Sequence, residues 1–416
     1  MFFIYQVIVT LLIFISPIII IFRIFKNKED KIRFLEKFSL PTKKNKGGNL
    51  IWFHGASVGE ILSIVPLIKN YEENKSIKQI LITSSTLSSS KVLSKYNFKK
   101  TIHQFYPIDH IYFTKKFLNY WKPKIAIFVE SEIWPCMYNQ INEKNIPLIL
   151  LNARLTKKTF QKWMKIKFFS KKIFDRIKVV FPQNNETKFF LKKISRCKIK
   201  FLGNLKFSEI QDKKLIELNK KLKIEFKKNK IWIASSTHKN EEIFCVKAHL
   251  ELKKKFKNLI TIIIPRHIHR TQDIINDIQK LNLKVALHSN KIKTLQNVDI
   301  YLVDTFGETK KFHNLGSSVF LGGSIINKGG QNPLEAARTG SRILHGPHTD
   351  NFKDIYNLLK KFKISKKINS PSELASSIVF KKNKNIGSKI KKMGEKILKE
   401  TIKELDFLIK NEIKKT

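Results

Sequence analysis

The stretch Trp52-Phe53-His54-Gly55-Ala56-Ser57-Val58-Gly59-Glu60 decides the fold, because an apolar run that starts at Leu50 meets a short glycine-bounded loop that ends in a carboxylate. The run is typical of a buried parallel strand, and an amphipathic segment follows it over residues 61–69. In open α/β sheets, ligands bind at such strand-to-helix corners, beyond the carboxyl ends of the strands. We therefore expect Glu60 to lie where a general base would meet a substrate, although an acidic residue in the first turn of a helix also has a purely structural explanation.

Runs of the same kind recur along the chain and alternate with helix-like segments, which is the pattern of parallel sheets covered by helices. The first series comprises residues 50–53, 80–82, 125–129, 148–151 and 179–181, and the second comprises residues 231–234, 260–264, 298–303, 319–321 and 343–344. We predict an α/β protein with two Rossmann-like domains facing a cleft, at residues 26–206 and 231–385, joined by a hinge at residues 207–230. Residues 386–416 are predicted to form a C-terminal helix, either solvated or packed back on the first domain.

The first 22 residues carry no charged side chain, and about 20 apolar residues suffice to span a bilayer. A cleaved signal peptide is the alternative, but such a peptide begins with basic residues and ends at a small-residue cleavage site. Arg23, Lys26 and Lys28 follow at once, and positive flanks stay cytoplasmic. We predict a membrane anchor at residues 1–25 with the rest of the chain on the cytoplasmic side, while Pro17 leaves a shallower insertion open.

The chain of 416 residues is strongly basic, with 81 Lys and Arg against 33 Asp and Glu, a formal charge of +48. Such a charge favours polyanionic partners, among them an anionic bilayer, a phosphorylated lipid and nucleic acid. The lysines are spread over every segment, which a uniform compositional drift also explains. No zinc-finger spacing or aromatic-basic RNA-binding motif is present, so no specific nucleic-acid partner is expected. Cys136, Cys197 and Cys245 lie far apart and indicate neither a disulfide framework nor a zinc site.

Polar residues follow two further strands of the first series. Glu130-Ser131-Glu132-Ile133-Trp134-Pro135 comes after the run that ends at residue 129. Taken alone, surface acidity explains the two carboxylates better than a role in the cleft does, and the corner leaves open whether one or both of them point into the cleft. Asn152-Ala153-Arg154 comes after the next run, where a guanidinium would clamp a phosphate or carboxylate, or form an ordinary salt bridge. The loop after Phe53 lacks both the P-loop and the dinucleotide signatures.

Strands of the second series are followed by polar residues and glycines that are suited to binding a nucleotide. Each of these groups also has an explanation as a helix cap or a turn. Ser235-Ser236-Thr237-His238 leads into a helix, and Pro265-Arg266-His267 presents a cation. Asp304-Thr305-Phe306-Gly307-Glu308 ends another strand, and Gly329-Gly330-Gln331-Asn332-Pro333-Leu334-Glu335 approaches a helix with Glu335 in its first turn. A carboxylate there can accept hydrogen bonds from ribose hydroxyls. Their joint placement at one face of a sheet favours a binding site.

Several of these motifs together resemble the 3-deoxy-D-manno-octulosonic acid (Kdo) transferases of lipopolysaccharide synthesis. The resemblance runs from the apolar beginning to about residue 355 and rests on His54-Gly55-Ala56-Ser57-Val58-Gly59-Glu60, Glu130-Ser131-Glu132-Ile133-Trp134-Pro135, Asn152-Ala153-Arg154-Leu155, Gly203-Asn204-Leu205-Lys206, Pro265-Arg266-His267 and Gly329-Gly330-Gln331-Asn332-Pro333-Leu334-Glu335. Cys136, Ile268, His269 and Ala336 depart from the usual family residues, as does the segment at residues 84–88, but no proposed catalytic group is missing.

The resemblance implies a glycosyltransferase of the GT-B type in the bacterial inner membrane. It would transfer Kdo from CMP-Kdo to the tetra-acylated lipid A precursor (lipid IVA), with inversion and without a metal or cofactor, CMP-Kdo being the donor substrate. It implies that Glu60 is the general base and that Glu130 and Lys206 stabilise the transition state. The residues implied to contact CMP are Pro265, Arg266, Phe306, Gly307, Glu308, Asn332, Pro333, Leu334 and Glu335. The alternatives are another sugar-nucleotide-dependent GT-B enzyme of the cell envelope and a non-catalytic membrane-associated polyanion binder.

Overall fold

The computed structural model describes residues 1–208, 218–290 and 294–414. The chain divides into two compact units, the first made of residues 1–210 and 394–416 and the second of residues 211–393. Of the hinge predicted at residues 207–230, residues 209–217 lie outside the described part, and a helix occupies residues 220–227.

The first unit is built on a parallel sheet of seven strands, in the order β3-β2-β1-β4-β5-β6-β7. The strands are β1 (Leu50–His54), β2 (Gln79–Ser84), β3 (Thr101–Phe105), β4 (Ile125–Val129), β5 (Leu148–Ala153), β6 (Val179–Pro182) and β7 (Lys198–Ile199). The strand order reverses between β1 and β4, which pair directly with each other. Ligands of open α/β sheets bind at such a reversal point, outside the carboxyl ends of the strands. The chain leaves β1 toward Glu60 and leaves β4 at Glu130.

Helices cover this sheet, and large aromatic side chains fill its core. The helices are α1 (Phe2–Phe25), α2 (Val58–Glu73), α3 (Leu87–Leu93), α4 (Ile111–Trp121), α5 (Pro135–Glu143), α6 (Lys157–Lys165), α7 (Lys167–Phe174) and α8 (Asn185–Ile194). Trp52 is fully buried and packs on Phe117 and Phe128, with ring centroids 4.9 and 5.0 Å away. The apolar run before Glu60 is therefore the centre of the core.

The second unit repeats the architecture, with seven parallel strands in the order β10-β11-β9-β8-β12-β13-β14. These are β8 (Lys230–Thr237), β9 (Leu259–Pro265), β10 (Val285–Leu287), β11 (Ile300–Leu302), β12 (Ser318–Leu321), β13 (Arg342–His345) and β14 (Ser365–Lys367). Its helices are α9 (Lys220–Lys227), α10 (Glu241–Lys253), α11 (Thr271–Gln279), α12 (Thr309–His313), α13 (Leu334–Ala337), α14 (Lys353–Lys361) and α15 (Pro371–Ser377). The predicted α/β class with two Rossmann-like domains is confirmed.

All ten strands predicted from apolar runs are present, and the four that the sequence did not predict are β3, β7, β10 and β14. Each of them is the outermost strand of its sheet. An edge strand does not need an apolar run, since one side of its backbone has no neighbouring strand and its faces are less covered. The sequences of β3 (TIHQF) and β14 (SKK) show no such run.

The last helix, α16 (Lys384–Ile413), belongs to the second unit up to Met393 and to the first unit from Gly394 onward. In the first unit it packs closely on the turn after β7. A Cβ atom at Gly394 would lie 1.9 Å from the carbonyl oxygen of Phe207, and one at Gly203 would lie 2.9 Å from Cδ1 of Ile397. The second half of this helix therefore packs on the first unit.

Helix α1 is 24 residues long and apolar enough to cross a membrane, and most of its side chains are exposed. Val9 and Ile20 are its buried residues. Near its beginning, the Tyr5 hydroxyl donates a hydrogen bond of 2.7 Å to the buried Asp109, which also accepts hydrogen bonds from the first main-chain N–H groups of α5. The helix therefore has a specific polar attachment to the first unit.

Candidate active site

Glu60 sits at the beginning of α2, directly after the loop that follows β1. Its Oε2 accepts a hydrogen bond of 2.7 Å from the main-chain N–H of Ala56, and its Oε1 accepts one of 2.9 Å from the Ser57 hydroxyl. Ser57 is in turn the N-cap of α2 and accepts a hydrogen bond from the main-chain N–H of Glu60. This arrangement is close to a capping box, except that the carboxylate accepts the main-chain N–H of Ala56, one residue before the N-cap, so the structural explanation for an acidic residue here holds.

The environment of Glu60 also makes it a base suited to neutral pH. Burial, the nearby negative charge of Glu132 and that of Glu130 together raise its pKa to about 7, against the lowering effect of the bonds from Ser57 and Ala56. A general base works best when its pKa lies near the operating pH. The capping residue therefore also has a pKa suited to accepting a proton near neutral pH.

Glu130 follows β4 and has left-handed backbone geometry, with φ of 59°. Its buried side chain pairs with Lys206, whose Nζ lies 2.6 Å from Glu130 Oε1. Surface acidity is therefore the wrong explanation for Glu130, because its side chain is only 7% exposed and forms an ion pair with Lys206. The structure brings Glu60, Glu130 and Lys206 to one end of the first sheet.

Two asparagines fix the turn that carries Lys206. Asn152, at the end of β5, accepts a hydrogen bond of 3.0 Å at Oδ1 from the main-chain N–H of Leu205. Asn204 Oδ1 accepts one of 2.9 Å from the main-chain N–H of Lys206. No Asp or Glu among the described residues lies within ion-pair distance of Arg154. The salt-bridge explanation for its guanidinium therefore finds no support in this part of the chain.

His54 and Glu132 belong to the sequence motifs described above, but the sequence assigns no role to either of them. His54 Nε2 lies 3.1 Å from Glu132 Oε2, and the Trp134 indole N–H donates a hydrogen bond of 2.9 Å to the same oxygen. The His54 ring stacks on Tyr106 with a centroid distance of 3.9 Å. The available signal was that His54 ends β1 and Glu132 follows β4, two strands that a parallel sheet can place side by side.

In the second unit, the predicted nucleotide groups follow four strands that are consecutive in space, β11, β9, β8 and β12. Thr237 ends β8, and its carbonyl accepts a hydrogen bond of 2.9 Å from the main-chain N–H of Arg266, whose side chain is exposed. Glu241 is fully buried and accepts hydrogen bonds from four main-chain N–H groups, those of His238, Gly323, Ser324 and Ile325. That carboxylate joins the ends of β8 and β12.

Lys310, in the helix that follows residues 306–308, has its Nζ 3.4 Å from Oε1 of Glu335. Asn332 Oδ1 accepts a hydrogen bond of 3.1 Å from Leu334 N–H, which fixes the entry to α13. Phe306 is 78% exposed, and Gly307 has φ of 88°. Glu308 pairs with Lys311 at 2.7 Å. An exposed ring, a positive-φ glycine and a carboxylate at the ends of neighbouring strands suit a base, a phosphate and a ribose.

Comparison with known proteins adds the family. A family profile described as 3-deoxy-D-manno-octulosonic-acid transferase (kdotransferase) matches residues 32–209. The chain is 34% identical over 393 residues to the 3-deoxy-D-manno-octulosonic acid transferase of Rickettsia bellii, covering 94% of this chain and 93% of that protein. It is 33% identical to the enzyme of the same description from Rickettsia prowazekii, covering 87% of this chain and 78% of that protein.

Among solved structures, a glycosyltransferase from Rickettsia africae superposes with a TM-score of 0.53 and 12% identity, covering 89% of this chain and all of that chain. At this identity the match concerns the fold, which is of the GT-B type. These two relatives are matched over 94% and 87% of the chain. The chain therefore belongs to the family of 3-deoxy-D-manno-octulosonic acid transferases.

Proposed function

We propose that this protein transfers Kdo from CMP-Kdo to the tetra-acylated lipid A precursor lipid IVA, with inversion at the anomeric carbon and without a bound metal. Membership of the family supports CMP-Kdo as the donor substrate and Kdo as the sugar that is transferred. The observation that carries the proposal is the Glu60 carboxylate at the reversal point of the first sheet, with its pKa raised to about 7 and the Glu130–Lys206 pair beside it.

In the proposed reaction, Glu60 takes the proton of an acceptor hydroxyl while that oxygen forms its bond to the anomeric carbon of Kdo. The bond from that carbon to the phosphate oxygen breaks, and CMP leaves with the electron pair. An alcohol is a poor nucleophile until a base removes its proton in the transition state. Glu130 faces the positive charge that develops on the sugar, and Lys206 faces negative charge that develops on the leaving group.

For the donor, we propose that CMP contacts Pro265, Arg266, Phe306, Gly307, Glu308, Asn332, Pro333, Leu334 and Glu335. The exposed Arg266 side chain suits the phosphate, and the exposed Phe306 ring suits stacking on the base. Glu335, oriented by Lys310, suits the ribose hydroxyls. Arg266→Ala is accordingly expected to raise the KM for CMP-Kdo.

For the location, we propose that α1 anchors the protein in the inner membrane with both units on the cytoplasmic side. The basic residues that follow α1 support this orientation. The net charge of +48 supports contact with the anionic membrane surface, where a phosphorylated lipid acceptor resides.

The test is transfer from CMP-Kdo to tetra-acylated lipid A precursor by detergent-solubilised protein, with products resolved by mass. Glu60→Gln should lose at least about 100-fold in kcat, since a general base contributes roughly that much. Glu73→Gln is the matched control, because Glu73 lies exposed in the last turn of the same helix. Equal activity of wild type and Glu60→Gln would remove Glu60 from the mechanism.

Absence of product from folded wild type would contradict the proposed function. Use of another sugar nucleotide would then identify a different GT-B enzyme. Salt-sensitive binding to any anionic surface, without transfer from any donor, would identify a polyanion binder.

A further inference from the structure

One face of α1 is covered along the whole length of the helix. The buried and half-buried residues of that face recur every three or four positions, at Tyr5, Val9, Ile13, Ser16, Ile20 and Arg23. Residues at this spacing lie one above the other on the same side of an α-helix. Because this stripe extends from the first turn to the last, α1 lies along a protein surface and does not project away from it.

Both ends of α1 are held by the first unit. Near the beginning of the helix, the Tyr5 hydroxyl donates its hydrogen bond to the buried Asp109. At the other end, Arg23 pairs with the buried Glu29 at 3.0 Å, and the same carboxylate pairs with Lys37 at 2.6 Å. The main-chain N–H of residue 108 donates a hydrogen bond of 2.9 Å to the carbonyl oxygen of Lys37. A continuous path within the first unit therefore joins the two attachment points.

Polarity is divided between the two faces of α1 in the same way. The polar side chains of the helix are all half-buried, and they are Tyr5, Gln6, Thr10, Ser16 and Arg23. The exposed side chains of the helix are all apolar, and the most exposed are Phe25, Phe14 and Phe3. A helix with lipid on every side is apolar all round. A polar stripe on one face instead suits a helix that has protein on that face and lipid on the other.

A helix that crosses the bilayer could not keep both attachments. Residues 5 and 23 are about 27 Å apart along the helix axis, at a rise of 1.5 Å per residue. The hydrocarbon core of a bilayer is about 30 Å thick, so a crossing helix would place these residues near opposite surfaces of the membrane. A unit bound to both of them would extend through the hydrocarbon. The first unit carries many exposed lysines, which hydrocarbon excludes.

We propose that α1 lies flat in the cytoplasmic leaflet of the membrane, with its polar stripe on the first unit and its apolar face against acyl chains, and does not cross the bilayer. This inference rests on the proposed membrane location and specifies its form. Lys26, Lys28 and Lys31, which follow the helix, are exposed and suit the anionic headgroups at the edge of that leaflet. The first unit then rests directly on the membrane that holds the proposed lipid acceptor.

The first experiment determines on which side of the membrane the beginning of the chain lies. A short uncharged peptide with a protease site is added to each end of the full chain, which is expressed and studied in sealed inverted vesicles of the inner membrane. Protease added outside should remove both peptides without detergent, while a reporter protein enclosed in the vesicles stays intact. Removal of the C-terminal peptide alone, with the N-terminal one cut only after detergent opens the vesicles, would overturn the proposal.

The second experiment measures how deeply the exposed face of α1 lies in the bilayer. Spin labels are attached to Val7→Cys, Phe14→Cys and Ile21→Cys in a chain with Cys197→Ser, since the two other cysteines are buried. These three positions are exposed, and each step of seven residues covers about 10 Å of the helix axis. A flat helix should give three depths that agree within a few ångströms. A central label about 10 Å deeper than the other two would show a crossing helix.

Neither readout needs a sugar donor, so failure of this inference can be told apart from failure of the proposed function. Accessible peptides at both ends and equal label depths, in a protein that transfers no Kdo, would keep the flat orientation and reject the proposed reaction. Kdo transfer by a protein whose N-terminal peptide is protected would keep the reaction and reject the flat orientation. A full chain that does not associate with membranes would reject both the proposed location and this inference.

Discussion

At the scale of single residues, the capping role of Glu60 conflicts with the catalytic role that we propose for it. Its bonds to Ala56 and Ser57 cap α2, and bonds of this kind favour the charged form of a carboxyl. Burial and the neighbouring carboxylates disfavour that form and win, because the pKa stands at about 7 instead of the usual 4.5. A carboxyl group whose pKa is raised in the folded state lowers the stability of the protein at neutral pH.

We therefore expect Glu60→Gln to increase the free energy of unfolding by an amount that depends on pH. Below about pH 4 Glu60 is protonated in both the folded and the unfolded wild type, so the two proteins should be equally stable. As the pH rises, the unfolded chain releases its proton first, and the wild type loses stability until the pH has passed the folded pKa of about 7. At pH 8, Glu60→Gln should therefore be more stable by up to about 3 kcal/mol. Denaturant unfolding in detergent at pH 4 and pH 8 measures the difference, and a gain that is equal at both pH values would contradict it.

The Glu130–Lys206 pair makes a second prediction, because its side chains are 7% and 14% exposed. Lys206→Met leaves a buried carboxylate without its cation and should lower the free energy of unfolding by roughly 3 kcal/mol. Adding Glu130→Gln should restore most of the loss, since a neutral amide needs no cation. The double-mutant cycle gives the coupling, and additive effects would show that the pair is not energetically joined.

At the scale of elements, strands with apolar runs and the helix-initiating corners could be predicted from the sequence. The edge strand β3 and the pairing of His54 with Glu132 could not, for related reasons. An edge strand lacks the apolar signal, and the contact between residues 54 and 132 exists only because β1 pairs with β4 across a long connection. Local sequence patterns predict which residues lie at the ends of strands. Which strand ends lie next to each other depends on how the strands pair in the folded sheet.

Helix α16 gives the element-scale prediction. Ala is about 1 kcal/mol better than Gly in a helix interior, yet Gly394→Ala should destabilise the protein, because the new Cβ atom would collide with the Phe207 carbonyl next to Lys206. It should also lower transfer activity by moving the turn that carries Lys206. Lys392→Ala, at an exposed position of the same helix, is the control and should be neutral or slightly stabilising. Thermal unfolding of the two variants and the wild type measures the effect. A Gly394→Ala variant more stable than the wild type would show that the helix can shift away from the turn.

At the scale of the whole molecule, the membrane anchor that we propose for α1 and the basic surface would provide two separable attractions to a membrane. Deleting residues 1–25 should leave binding to anionic vesicles that weakens by more than about tenfold between 0.1 and 0.5 M salt, since exposed charges are screened. The full chain should stay bound at both salt concentrations, because burial of α1 in hydrocarbon does not depend on ionic strength. Vesicle sedimentation compares the two, with neutral vesicles as the control. Salt-resistant binding of the shortened protein would place a further apolar attachment outside α1.

The sharing of α16 between the two units has a consequence for synthesis on the ribosome. The first unit is complete only when residues from Gly394 onward have joined it. Gly203 and Phe207 therefore await their packing partners until translation has passed residues 394–397. A nascent chain stalled before residue 394 should carry a first unit that proteases digest readily. Emergence of the second half of α16 from the ribosome, and not completion of the first unit's own sheet, is then the event that makes the turn carrying Lys206 resistant to digestion.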